Sequence, residues 1–280
     1  AQTLTDLTLT VDGGTDGAVY ELTNLANITE TITTDNTDLT VTALDATGDA
    51  NLSLTNDTGN VTVTSFDTTL AGTLSVTASS GNIILADGAL VTGSGGVSLN
   101  ASGTIDESTN ATTTNITTTG GLTLTSGGAI ADNIDVTGHL DIDVGTVNVT
   151  ATGGTDVSLR DAGTSNTTYT VATGGAGDVS LNQAANNLVV DTITTTNGAV
   201  TLVGAANVFE LGSDTTADIT TTGAVSVTAG TSIGATGAGA LDIASSTNLT
   251  LDSNDDVAVR GSAQTLTDLT LTVDGGTDGA

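Results

Sequence analysis

The residues with the clearest potential for chemistry are a short series of oxygen-bearing side chains near the end of the sequence. The stretch LDSNDDVAV places Asp252, Asn254 and Asp256 at alternate positions, which is the spacing of the first ligands in a calcium-binding loop. The pattern then departs from such a loop, because Val257 stands where glycine is needed and Ala263 where a bidentate glutamate is needed. The sequence therefore predicts a solvated acidic turn, with Asp252, Asn254 and Asp256 as weak Ca²⁺ candidates.

The other chemical candidates are a carboxylate pair, one histidine and one glycine-rich turn. Asp141 and Asp143 flank Ile142 and would share one face of a strand, as the paired carboxylates of a glycoside hydrolase must. A sugar polymer would also need basic or aromatic partners, which are nearly missing, so the sequence predicts no enzymatic activity. His139 is the only histidine and has no cysteine to join it in a metal site. The turn GGAGD at 174–178 is one residue short of a calcium repeat that works only in many stacked copies.

Several asparagines occur in Asn-x-Thr/Ser triplets, the acceptor pattern for glycosylation. A threonine-rich chain of alternating strands produces such triplets without selection for glycans, so we expect most of them to be structural. They begin at Asn27, Asn51, Asn56, Asn60, Asn110, Asn115, Asn148, Asn166 and Asn248.

The composition excludes several classes of protein. The 280 residues include no Cys, which removes disulfides, zinc fingers and iron–sulfur sites. Lys and Arg total 2 against 32 Asp and Glu, giving a net charge of -30, so we expect no nucleic-acid partner because phosphate contacts need basic side chains. No apolar run approaches the roughly 18 residues of a membrane span, and no export signal is visible in this sequence.

The two ends of the chain carry the same sequence. Residues 1–18 read AQTLTDLTLTVDGGTDGA, and residues 263–280 repeat them letter for letter. The offset is far longer than a single solenoid coil. We interpret residues 1–262 as one long tandem repeat unit and residues 263–280 as the start of the next.

A shorter sequence repeat occurs inside the long one. Short apolar-x-apolar motifs alternate with Thr, Ser, Asp or Asn, which predicts strands with one face inward. Turn clusters rich in Gly, Asp and Asn separate these motifs, and two successive steps add up to about 22 residues, a length typical of a solenoid coil. The residues predicted to face inward in one regular stretch are Leu52, Leu54, Val61, Val63, Leu74 and Val76.

A parallel solenoid explains this composition better than a β-sandwich does. Only Tyr20, Phe66, Tyr169 and Phe209 are aromatic, too few for a sandwich core, whereas a narrow solenoid core needs only stacked aliphatic residues. The absence of Pro agrees, because a β-helix strand uses its N–H groups for the neighbouring coil. The sequence therefore predicts an all-β fold, a parallel β-helix of about 12 coils in residues 1–262 with about 22 residues per coil.

Two stretches resemble a known class of proteins. SSGNIILADGALVTGSGGVSLNASGTID (79–106) and TTTGGLTLTSGGAIADNIDVTGHLDIDVGTVNVTATG (117–153) are similar in style to filamentous-haemagglutinin-like bacterial surface proteins. The likeness extends to giant adhesins built from long tandem repeats. This resemblance implies a right-handed β-helix, export across the bacterial envelope, and a role in adhesion or in an extracellular fibre.

These observations favour a structural segment of an extracellular bacterial surface fibre or adhesin stalk. The expected partners are further copies of the repeat, end to end in one chain, and neighbouring fibres in lateral contact. We expect no cofactor beyond weak or diffuse Ca²⁺. The alternative is a module whose Thr-x-Thr ladders bind ice or another regular surface. The pairs that would form such a face are Thr8/Thr10, Thr40/Thr42, Thr62/Thr64 and Thr123/Thr125.

Overall fold

The chain is all-β, and its parallel strands are stacked about 22 residues apart in a β-solenoid of about 10 turns, which confirms the predicted fold class. The structure is a computed structural model that describes residues 6–11, 18–25, 29–34, 38–46, 51–68, 71–109, 112–131, 138–244, 246–262 and 266–274. It divides into two compact units, Ala1–Val144 (unit 1) and Gly145–Ala280 (unit 2).

Unit 1 is built from short strands that follow the period-two pattern of the sequence. A further strand, β14 (Leu140–Ala151), begins in unit 1 and ends in unit 2. The strands of unit 1 are β1 (Asp6–Val11), β2 (Ala18–Leu25), β3 (Thr29–Thr34), β4 (Asp38–Ala46), β5 (Asn51–Asn56), β6 (Asn60–Val63), β7 (Phe66–Thr68), β8 (Leu74–Ala78), β9 (Ile83–Leu85), β10 (Leu90–Thr92), β11 (Val97–Ala101), β12 (Ile105–Glu107) and β13 (Ile116–Ser126).

Each coil of unit 1 adds strands to three parallel ladders. Ladder A joins β1, β3, β5, β8, β11 and the second half of β13. Ladder B joins the first half of β4 to β6, β9 and β12. Ladder C joins the second half of β4 to β7, β10 and the first half of β13. A residue therefore stacks on its counterpart one coil away, as Leu52 does on Leu74.

The core of unit 1 consists of the inward residues of these ladders. The six residues predicted to face inward at Leu52–Val76 are all buried, with exposed fractions from 0% to 4%. Val61 shows the arrangement, because it lies in register between Leu39 and Ile83, which are also buried. Aliphatic stacking of this kind removes apolar surface from water without large aromatic side chains.

Unit 2 repeats this architecture. One 3₁₀ turn, Gly237–Gly239, interrupts its described strands. The strands are β15 (Val157–Asp161), β16 (Thr167–Thr173), β17 (Val179–Gln183), β18 (Leu188–Thr194), β19 (Val200–Gly204), β20 (Val208–Glu210), β21 (Ile219–Thr220), β22 (Val225–Ala229), β23 (Leu241–Ala244), β24 (Asn248–Ser253), β25 (Val259–Ser262) and β26 (Asp268–Val273).

Three parallel ladders also run through unit 2. Ladder A joins β15, β17, β19, β22, β24 and β26. Ladder B joins the second half of β14 to β16, β18 and β20, and continues as single bridges at Ile233 and Val257. Ladder C joins the second half of β18 to β21, β23 and β25.

Polar side chains at the turns form ladders of their own. In unit 1 the backbone N–H of Asn60 donates to Asp38 Oδ1 at 3.1 Å, that of Asn82 to Asn60 Oδ1 at 2.9 Å, and that of Thr104 to Asn82 Oδ1 at 2.8 Å. Each bond spans 22 residues, or one coil. These side chains satisfy turn N–H groups that the strand ladders do not reach.

Glycine is required where successive corners touch. A Cβ on Gly223 would lie 2.3 Å from the carbonyl oxygen of Gly198, and one on Gly120 would lie 2.3 Å from that of Gly95. Such an approach leaves no room for a side chain. The hydroxyl of Thr221 donates to the same Gly198 oxygen at 2.7 Å, so the corner is also held by a hydrogen bond.

Candidate metal centre

The calcium candidates from the sequence lie in one strand and the turn after it. Asp252 is half-buried on β24, and Asn254 and Asp256 are exposed in the following turn. The side-chain amide of Asn254 donates to the carbonyl oxygen of Gly230 at 2.9 Å. Asn254 thus joins two turns in neighbouring coils, and Ca²⁺ binding by these three residues stays a prediction.

The other candidate residues from the sequence lie in different environments. Asp141 is 1% exposed and its backbone N–H donates to Asn115 Oδ1 at 3.0 Å, whereas Asp143 and His139 are half-buried. Asp178, which ends the GGAGD turn, accepts the N–H of Ala199 at 2.7 Å. The turn at 174–178 therefore belongs to the polar ladders that hold the corners.

The asparagines of the Asn-x-Thr/Ser triplets divide by burial. Asn56 and Asn115 are fully buried, so neither can accept a glycan in the folded chain. Asn60 belongs to the turn ladder described above. Asn51, Asn148, Asn166 and Asn248 are exposed, and Asn27 and Asn110 lie outside the described residues.

One row from the Thr-x-Thr pairs stays threonine through Thr10, Thr33, Thr55 and Thr77, whereas the rows of Thr40 and Thr123 change residue type. Thr40 stacks on Thr62, but the next residue in that row is Ile84. Thr123 and Thr125 stack on Ser98 and Asn100. Thr8 and Thr10 are in register with Thr31 and Thr33, which are in turn in register with Ser53 and Thr55.

A buried glutamate in unit 1 was not singled out by the sequence. Glu107 is the inward end residue of β12, stacks on Leu85, and is 8% exposed. Both of its carboxylate oxygens are buried without a hydrogen-bond partner among the described residues. Burial, followed by the negative charges of Asp141, Asp106 and Asp87, raises the pKa of Glu107 to about 8. This carboxyl group is therefore largely protonated at neutral pH.

Three carboxylates converge in unit 2. Glu210 ends β20, Asp242 lies on β23, and Asp214 lies in the loop between β20 and β21. One oxygen from each lies within 4.8 Å of the other two. Glu210 is 4% exposed and Asp242 5% exposed, while Asp214 faces solvent. We call Glu210, Asp214 and Asp242 the acidic triad. In the described part of the chain, these three residues form the carboxylate cluster that is close enough to share one metal ion.

A fourth acidic residue, Asp218, is hydrogen-bonded to the backbone of Asp242. The backbone N–H of Asp242 donates to Asp218 Oδ2 at 2.7 Å, and that of Asp218 donates to the Asp242 carbonyl oxygen at 2.9 Å. Burial first, then the charges of Glu210, Asp242 and Asp214, raise the pKa of Asp218 to about 7. The backbone hydrogen bond from Asp242 lowers the pKa of Asp218, but by less than burial raises it.

The pKa values of Glu210 and Asp214 are shifted in opposite directions. Burial raises the pKa of Glu210 above its ordinary value, a backbone hydrogen bond from Asp214 opposes this shift, and the negative charges of Asp242 and Asp214 add to it. Hydrogen bonds from Thr216 lower the pKa of Asp214; its Oδ1 accepts the Thr216 N–H at 2.6 Å. Glu210 therefore holds a proton more readily than Asp214 does.

One arginine borders the triad. Arg260 lies on β25 in register with Asp242 and donates from Nε and Nη2 to both oxygens of its carboxylate. Its guanidinium also donates to the carbonyl oxygens of Asp214 and Gly237. The Asp242 hydrogen bonds raise the pKa of Arg260. One positive charge thus faces the four carboxylates of Glu210, Asp214, Asp218 and Asp242.

The glutamates of the two units occupy equivalent places in related sequences. Residues 97–130 align without a gap with residues 200–233, pairing Glu107 with Glu210, and ITTTG stands in both stretches at 116–120 and 219–223. The backbone N–H of Asp141 donates to Asn115 as that of Asp242 donates to Asp218. This internal similarity is the sequence signal that would have found both sites. The position aligned with Asp214 is Ala111, so the aligned stretch of unit 1 has no residue equivalent to Asp214.

Comparison with protein-family models, with curated proteins and with solved structures finds no match for this chain. Among the described residues, no helix is long and apolar enough to cross a membrane.

Proposed function

We propose that this chain is a structural segment of a long extracellular bacterial surface fibre or adhesin stalk, and that it has no enzymatic role. The β-solenoid fold is compatible with a structural repeat protein. The resemblance of residues 79–106 and 117–153 to exported bacterial repeat proteins supports the surface location. In a solenoid each coil stabilises its neighbours, so length is gained by adding repeats.

The observation that carries this proposal is the pairing of one repeated hexapeptide. DLTLTV forms β1 in unit 1 and β26 in unit 2. As β1 it pairs with β3, a later strand, and as β26 it pairs with β24, an earlier strand. The same six residues can therefore offer one edge to each neighbour, as a strand inside a continuous array must.

The last described strand also presents apolar side chains that the next coil of an array would cover. Leu269 and Leu271 of β26 are 55% and 51% exposed, and they line an open apolar groove with Leu249, Leu251 and Leu266. Exposed aliphatic clusters of this kind mark contact surfaces. The repeat that follows residues 263–280 in an array would supply a strand equivalent to β3 at this edge.

Extension of the chain tests the proposal. A chain lengthened after Ala280 by a copy of residues 19–68 is expected to melt at a higher temperature, because a new coil stacks on β26. Hydrogen exchange of the β26 amides is expected to slow at least about tenfold. The control carries the same added residues in scrambled order. Equal exchange in both chains would refute the tandem-array role.

The location requires its own measurement. An antibody against this chain is expected to label intact cells of the source bacterium, and external protease is expected to remove the signal. Labelling that needs permeabilised cells would contradict the surface assignment while leaving the repeat architecture untouched.

A further inference from the structure

We propose that the acidic triad of unit 2 binds one divalent cation of the Ca²⁺ class, with Glu210, Asp214 and Asp242 as its ligands. This site differs from the Asp252–Asp256 turn that the sequence suggested, and it does not depend on the fibre role.

The geometry suits a calcium-sized ion. Oxygen ligands of Ca²⁺ lie about 2.3–2.6 Å from the ion, so two ligands of one ion are at most about 5 Å apart. The oxygens of Glu210, Asp214 and Asp242 meet this limit pairwise, at 4.8 Å or less. They come from β20, the following loop and β23, so their positions are fixed by two ladders of the solenoid.

A second observation points to a ligand independently of the clustering. Glu210 is 4% exposed, and its Oε1 is buried without a hydrogen-bond partner among the described residues. Burying a carboxylate oxygen with no donor is costly. This oxygen belongs to a side chain that reaches the other two carboxylates, so a cation between them would supply the missing interaction.

The charge balance favours a divalent ion. Glu210, Asp214, Asp218 and Asp242 carry four formal negative charges when ionised, and Arg260 supplies one positive charge. A divalent cation would offset this excess of negative charge more effectively than a monovalent one.

Arg260 limits the affinity without blocking the site. Its guanidinium holds both oxygens of Asp242, but each carboxylate oxygen has a second lone pair that can face an ion. Arg260 is partly exposed, with 36% of its side chain accessible, and can withdraw toward solvent. Among the three ligands, Asp242 is the one whose carboxylate oxygens are hydrogen-bonded to Arg260, so the cation competes with Arg260 mainly at Asp242.

The test is calorimetric titration of the metal-free 280-residue chain with CaCl₂ in about 0.15 M NaCl, where the Debye length is about 8 Å and diffuse attraction is screened. One saturable site per chain is expected. Asp214→Asn, which alters an exposed side chain, is expected to weaken binding at least about tenfold.

The matched control is Asp256→Asn, which removes one exposed carboxylate from unit 2 and from the turn suggested by the sequence. Its affinity is expected to stay within about twofold of the original chain. Glu210→Gln, a neutral isostere, should abolish the site. Absence of a saturable site, or equal loss in D214N and D256N, would overturn the proposal. Loss in D256N alone would assign the ion to the Asp252–Asp256 turn instead.

Discussion

The titration of Glu107 gives a prediction at the scale of a single residue. Its pKa is raised from 4.5 to about 8, so between these values the folded chain retains a proton that the unfolded chain releases. Stability contributed by neutral Glu107 is therefore complete at low pH and is lost as the pH rises toward about 8, by at most about 1.4 kcal/mol per pH unit. Glu107→Gln is expected to reduce this slope, measured by urea unfolding at several pH values.

The control for Glu107 is Asp143→Asn, which removes a half-buried carboxylate of the same unit. Asp218 in unit 2, with a pKa of about 7, adds a slope of the same sign, so E107Q should reduce the dependence without abolishing it. If D143N flattens the curve as much as E107Q does, burial of Glu107 is not its cause.

Arg260 gives a second residue-scale prediction, which links stability to cation binding. Arg260→Gln removes the positive charge beside Asp242, which is 5% exposed, and a buried carboxylate without its partner destabilises the fold. We expect a lower melting temperature in EDTA and a larger rise on adding CaCl₂ than the original chain shows. An equal rise in both chains would mean that Arg260 and the cation do not compete for Asp242.

The sequence predicts that Glu107 and Glu210 face inward, but it does not predict which side chains they contact. In the strand Ile105–Glu107, period two makes Glu107 inward once Ile105 is inward, and the same reasoning applies to Glu210 after Val208. The approach of Asp141 to Glu107 depends on the lengths of the intervening loops. Those lengths vary, since coil-to-coil hydrogen bonds span from 18 to 29 residues, and no local pattern fixes them.

At the scale of the strand, Val61 tests the inward assignment. Val61 is fully buried between Leu39 and Ile83. Val61→Asp would place a charge in a narrow apolar core and is expected to cost several kcal/mol. The neighbouring Thr62→Asp changes an outward position and should cost less than about 1 kcal/mol. Chemical denaturation measures both, and similar losses would contradict the period-two packing.

The turn ladders give a second prediction at this scale. Asn82 receives the N–H of Thr104 and donates its own N–H to Asn60. Asn82→Ala leaves the Thr104 N–H without its acceptor and is expected to cost about 1–2 kcal/mol. Asn100→Ala, at an exposed strand position, should be close to neutral. Hydrogen exchange at Thr104 should quicken in N82A, and an unchanged rate would show that the ladder contributes nothing there.

The regular strands could be predicted from the sequence because Leu, Val and Ile alternate with Thr and Ser in most coils. The ladders of turn asparagines could not, because the same Asn-x-Thr triplets also fit a glycosylation pattern. What separates Asn60 in a ladder from exposed Asn148 is the position of the triplet relative to the corner. That position follows from coil stacking and is visible only once strands are in register.

At the scale of the whole molecule, the net charge of -30 with only 2 basic residues predicts a strong response to salt. Like charges repel over about 30 Å at 0.01 M ionic strength and over about 10 Å at 0.1 M, so low salt should keep multi-repeat chains apart and lower their melting temperature. Added NaCl is expected to raise the melting temperature gradually and to promote lateral association, without saturation.

The response to CaCl₂ distinguishes diffuse screening of the net charge from specific binding at the acidic triad. At matched ionic strength, CaCl₂ should exceed NaCl in two stages: a saturable rise in melting temperature as the triad fills, then a gradual increase in turbidity as screening continues. Asp214→Asn should remove only the first stage, because it changes one of 32 acidic residues. A chain whose melting temperature and turbidity respond to neither salt would refute the diffuse-charge account. A turbidity response lost in D214N would place lateral association at the triad rather than across the acidic surface.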